Sequence, residues 1–158
     1  MMIPPTFCRC LGLAAMSFVS FAGCGESIQF APVRGQVLVR GEPARAVRVE
    51  FHPDSVDGTR GPSSSGETDA EGRFALAYAT PSATGQGAAV GRHRVVLRDL
   101  ALAASETGLG VAVRFGPDYA NLLTTPLRAD VKALEKAADE AVGNDLVIEV
   151  PANTVRTP

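Results

Sequence analysis

The chain has 158 residues, with 15 basic and 17 acidic side chains and a net charge of −2. That length suits one domain with a real hydrophobic core, and the charge balance lacks the basic footprint that nucleic-acid binding needs. The only cysteines are Cys8, Cys10 and Cys24, and tryptophan is absent, which argues against a disulfide-stapled module and against a large sugar-stacking platform.

The amino end carries Arg9, an apolar run from Leu11 to Phe21, and then Phe21-Ala22-Gly23-Cys24. A basic start, a short apolar stretch and small residues before a cleavage point are the pattern of an export signal. The run is about half of the ~20 residues that a membrane-spanning helix needs. Ala22-Gly23-Cys24 resembles the lipobox of bacterial lipoproteins. The resemblance implies that Cys24 is diacylated on sulfur and becomes the new amino terminus. Ordinary secretion, with cleavage after Ala22 or Gly23, and a retained anchor are the alternatives. We therefore expect a signal helix over 1–23, a short linker over 24–32, a folded body over 33–151 and a loose tail over 152–158. The expected location is the cell envelope, outside the cytoplasm and attached to membrane lipid through Cys24.

Beyond the linker, apolar residues alternate with polar ones at the two-residue period of strands. Val33, Gly35, Val37 and Val39 share one face, and Val47, Val49 and Phe51 share another until Pro53 ends the strand. A loop from Asp54 to about Ser64 follows, then a short strand near 65–68. The turn Asp69-Ala70-Glu71-Gly72 leads to Phe74, Leu76 and Tyr78, which reads as a hairpin. Thr80 to Val90 reads as a small, polar connection. His93, Val95 and Leu97 oppose Arg92, Arg94, Val96 and Arg98. Residues 100–110 are ambiguous between a helical turn and a loop. Short strands are expected over 111–115 and 127–131. Val131, Leu134, Ala138 and Val142 have helical spacing, which predicts a short helix near 131–142. Leu146, Ile148 and Val150 form the last strand. The sum is an all-β, antiparallel sandwich of about seven strands.

Several elements together resemble a known family. They are Val33-Arg34-Gly35-Gln36-Val37, Gly41-Glu42-Pro43, the run from Val47 to Pro53, the run from Thr68 to Phe74, and Gly91-Arg92-His93-Arg94-Val95. In this order they resemble the carboxypeptidase-regulatory-like domains, which have a transthyretin-like (Ig-like) sandwich. Pro117-Asp118-Tyr119 and Thr125-Pro126-Leu127 resemble the carboxyl-terminal part of bacterial lipoproteins built on that domain. The resemblance implies a noncatalytic accessory fold with a structural or interaction role, no catalytic residues and no cofactor. The implied partner is an envelope protein or a polysaccharide.

Candidate chemistry is sparse. His52 reads as a solvated strand-end residue and His93 as a cap on the core edge; neither has the companions of a metal site. Asp69 to Gly72 and Asp54 to Gly58 read as turns rather than calcium loops. Gly85-Gln86-Gly87 and Gly108-Leu109-Gly110 lack the context of phosphate loops. Ser63-Ser64-Ser65-Gly66 lacks the spacing of a nucleophile elbow and shows no plausible base. Arg92, Arg94 and Arg98 share a strand face, either as a patch for anionic lipid or polysaccharide or as a solvated surface. The loops 54–64 and 80–90 are the candidate ligand loops of a binding module.

Overall fold

A computed structural model describes residues 27–103, 114–134 and 143–151. Twelve strands occur among these residues, many of them two to four residues long. They are β1 (Phe30–Ala31), β2 (Val33–Val39), β3 (Glu42–Pro43), β4 (Val47–Pro53), β5 (Ser64–Glu67), β6 (Arg73–Ala75), β7 (Ala77–Ala79), β8 (Thr84–Gln86), β9 (Ala88–Ala89), β10 (Gly91–Asp99), β11 (Arg128–Val131) and β12 (Asn144–Val150). One helical turn, α1 (Leu100–Ala103), and two 3₁₀ turns, Ser55–Asp57 and Pro117–Ala120, complete the set.

The strands form a β-sandwich. The larger sheet has the order β11-β10-β4-β5-β7-β8. The smaller has β12-β2-β3, with β6 also paired to β2. Val33 and Val37 from β2 are buried, as are Val47, Val49 and Phe51 from β4 and Val95 and Leu97 from β10. Leu76, Val131, Ile148 and Val150 join them in one core. The register places Val95 opposite Phe51 and Leu97 opposite Val49. Alternation along β2 and β4 thus sends one apolar face inward, as two stacked sheets require; β10 departs from it at Val96, which is buried on the opposite face.

Four expectations change. The strand expected over Phe74 to Tyr78 is two strands. β6 pairs with β2 in the smaller sheet, whereas β7 pairs with β5 in the larger. The chain crosses between sheets at Leu76, whose N–H donates to Val33 O at 3.0 Å while its side chain fills the core. A crossing strand keeps its two-residue period, so the pattern does not betray the switch. The connection 80–90 holds β8 and β9, and β9 pairs with β1 inside the expected linker. The body therefore begins at Phe30 rather than Val33. The third change is at β12, which pairs parallel with β2 along its whole length, from Asn144 opposite Val33 to Val150 opposite Val39. All other ladders among the described residues are antiparallel. The fourth is at Val131, which ends β11 opposite Gly91 instead of starting a helix, and 132–134 are not helical. Residues 135–142, the signal segment with Cys24, the start of the 111–115 strand and the tail 152–158 lie outside the described residues.

The turn at Asp69 behaves as expected. Gly72 has φ 72°, a conformation that glycine tolerates best. Asp69 Oδ1 accepts from the N–H groups of Glu71 and Arg73 at 3.0 and 2.7 Å. That carboxylate is occupied in closing the hairpin, which disfavours a calcium role. Nearby, Thr68 Oγ1 donates to Ala44 O at 2.6 Å and accepts from Val47 N–H at 2.9 Å, tying the loop after β3 to the start of β5's turn.

Candidate functional site

The outer face of the larger sheet concentrates the charged side chains. β4 turns Arg48, Glu50 and His52 outward because its apolar residues occupy the inward positions. β10 does the same with Arg92, Arg94 and Arg98. The three arginines are not a free cationic patch. Arg98 Nε donates to Glu50 Oε1 at 2.8 Å, Arg94 Nε to Asp54 Oδ2 at 3.1 Å and Arg92 Nη1 to Asp57 Oδ2 at 3.3 Å. The Arg94 hydrogen bond holds the Asp54 carboxyl below its ordinary value. For Glu50, burial opposes ionisation, but hydrogen bonds from Arg98 and His52 outweigh it and its pKa is lowered. The solvated, self-neutralised surface is the better account of this strand face.

One group in that face was missed in the sequence. Ser63 Oγ lies 2.9 Å from His52 Nδ1, and His52 Nε2 lies 3.3 Å from Glu50 Oε2. Ser63 does have a base beside it, contrary to expectation. Eleven residues separate Ser63 from His52, and no spacing rule joins them; the turn after β4 and the return of β5 do. Hydroxyl, imidazole and carboxylate in this order are the parts of an acyl-transfer relay. The carboxylate, however, is already paired with Arg98, so much of the charge that would stabilise an imidazolium is offset. Three side chains fastened across two strands are a sufficient account of the contact.

Ser63 also borders an open groove of about 530 Å³, lined by Ser65, Tyr78, Thr84 and Gln86 among others. It lies between the two loops expected to hold a ligand. Its aromatic member is engaged elsewhere. Tyr78 stacks on Phe30 with ring centroids 4.0 Å apart. The ring is also so close to Gly85 that a Cβ there would come within 2.7 Å of ring carbons. A sugar ring has little free aromatic face to stack on. A second cleft, about 270 Å³, lies at the start of β10 between Asp57, Arg92, Arg128 and Asp130.

His93 is fully buried, on the inward face with Val95 and Leu97. Its Nδ1 lies 3.0 Å from Gly91 O, which fixes that nitrogen as the donor. Its Nε2 has no partner, and its ring packs 5.7 Å from that of Phe51. Burial lowers its pKa from the ordinary 6.5. The folded chain therefore holds His93 neutral, whereas the unfolded chain binds a proton as pH falls below 6.5. Stability is lost in that window and the loss stops at the folded pKa. Glu50 and Asp54, with lowered values, contribute stability that is present above 4.5 and 3.8 and disappears only at lower pH. We expect His93→Phe to remove the loss between pH 7 and 5, measured by urea midpoints across that range. An unchanged pH profile would assign the loss to other groups.

Among the described residues no cluster of three or more His, Cys, Asp or Glu could hold a metal ion, and no helix is long and apolar enough to cross a membrane. Cys24, the one site residue expected from the sequence, lies outside the described residues. No family model, curated protein or solved structure matches this chain.

Proposed function

We propose that the protein is a lipid-anchored, noncatalytic sandwich of the carboxypeptidase-regulatory-like kind, which serves a structural or protein-interaction role at the cell envelope. Cys24 carries the acyl chains. The observation that carries this reading is Phe21-Ala22-Gly23-Cys24 placed just before a sandwich whose first strand starts at Phe30. An anchor so near a small rigid body makes position its main property. Two or more acyl chains give stable attachment, at ~0.8 kcal/mol per buried methylene. The reading is supported further by the self-paired arginines and by the Glu50–Arg98 pair, which leaves the Ser63–His52 contact poorly equipped for catalysis.

Cys24→Ala should abolish acyl labelling and move the protein from the membrane fraction to the soluble one. Full retention of the variant would overturn the anchor. In the same wild-type preparation, a fluorophosphonate probe should leave Ser63 unlabelled; labelling there would replace the noncatalytic reading with a hydrolase. A second reading, a polysaccharide- or small-ligand-binding module, is favoured by the hydroxyl-lined groove beside Ser63 and Thr84.

A further inference from the structure

The path of the chain into β1 constrains how an anchored molecule sits. Val90 N–H donates to Gln29 O at 2.8 Å, and β1 pairs with β9. Phe30 is stacked on Tyr78. Ile28 lies against Gly61, where a Cβ would come within 3.4 Å of its Cγ2. The chain is therefore fastened to the body as far back as Ile28. Gly25, Glu26 and Ser27 are all that separates Ile28 from Cys24. The four steps from Cys24 to Ile28 span at most ~14 Å when extended. The polar layer on each side of a bilayer is ~5–8 Å thick. The slack beyond the headgroup layer is thus ~6–9 Å, well short of the length of a seven-residue strand such as β2.

We infer that, in the anchored protein, the end of the sandwich at Ile28 and the loop after β4 faces the bilayer, with Ile28 and Val56 at headgroup level. This rests on acylation of Cys24. Val56 is the tip of the Ser55–Asp57 turn and is 85% exposed; Ile28 is 46% exposed. Their loops are joined: Asp54 O accepts from Thr59 N–H, Thr59 Oγ1 accepts from Arg92 N–H at 2.8 Å, and Gly61 follows two residues on. Apolar tips at a lipid interface bury area that water otherwise contacts. Arg60, next to Gly61, is exposed, and its long side chain can keep its charge among phosphates while its stem lies along apolar surface; Arg92 at this end is held by Asp57. Asp57 and Asp130 share this end, so the short tether and the apolar tips decide the orientation, not the local charge balance. The occupant of this surface is lipid. The opposite end, with the Arg40-Gly41 turn, lies one strand away. The seven residues of β2 put it ~23 Å farther out, where it is free to meet an envelope partner.

The test uses full-length acylated protein in vesicles of phosphatidylethanolamine and phosphatidylglycerol. Nitroxide labels are placed at V56C in one sample and at E42C, on the far end, in another. Oxygen, which concentrates in lipid, and a water-soluble nickel chelate then compete for the label. The oxygen-to-nickel accessibility ratio should be severalfold higher at 56 than at 42. Equal, aqueous ratios in protein that stays with the vesicles would overturn the orientation while leaving the anchor standing. Protein that washes off the vesicles would overturn the anchor, and the orientation with it.

Discussion

Phe51→Ala lowers the unfolding free energy by about 3–5 kcal/mol, read from urea denaturation of the otherwise unchanged chain. Phe51 is 0% exposed at the centre of the larger sheet, where it faces Val95 across one ladder and Ser64 across the other. A domain of this kind has roughly 5–15 kcal/mol in total, so the variant loses a large fraction of its stability. Where in the range the result falls depends on its polar neighbours. Ser64 Oγ and His93 Nε2 are both buried without a hydrogen-bond partner. A water entering the vacated space could serve them, which would bring the loss toward the lower figure. A near-neutral result would mean that β4 does not turn Phe51 inward, and the two-sheet core would have to be redrawn.

Gly87→Ala is the second large effect expected. Gly87 has φ 96° and its N–H donates to Leu76 O at 2.7 Å, so it cannot rotate away without releasing the point at which the chain changes sheets. A Cβ at this residue would sit 2.0 Å from Ala31 O and 2.6 Å from the carbonyl carbon. The obstacle is backbone, which cannot yield as a side-chain tip can. Left-handed strain of roughly 1–2 kcal/mol and overpacking of ~1–3 kcal/mol together give a loss of about 2–5 kcal/mol. Amide exchange should show the damage first at β1 and the start of β2. Gly41→Ala is the control, since it shares positive φ but has open space where the methyl would go. It should lose only the strain component. Equal losses at both positions would show that the approach of Ala31 to Gly87 is unimportant.

The parts of the fold that could be read from the sequence are those whose signal is local. Inward apolar residues at every second position predicted β2, β4 and β10, with His93 on the core side of β10; Pro53 predicted the end of β4, and Gly72 the hairpin turn. What could not be read depends on partners distant along the chain. Leu76 is one apolar residue among alternating ones, and only the sheets on either side of it reveal the crossing. Nothing near Asn144 announces that its strand runs parallel to β2. Arg114 binds Asp99 through Nε at 2.7 Å and donates to Arg45 O at 2.6 Å. It thereby fastens the segment after α1 to the turn before β4, yet no local pattern marks Arg114 from any other surface arginine. The same holds for the site. Glu50 and His52 share a face by strand parity, but Ser63 reaches them only through the path of β5. The isolated arginines suggested a patch because their carboxylates, Asp54, Asp57 and Glu50, lie on other segments.

The parallel pairing of β12 with β2 bears on how the molecule is made. Val33 of β2 waits for Asn144 of β12, and every intervening residue must be delivered before that edge of the smaller sheet is covered. Loop-closure entropy makes such distant pairings slow, on the order of milliseconds to seconds for folds dominated by them. A nascent chain stopped short of Asn144 therefore leaves one edge of β2 bare, an invitation to mispair.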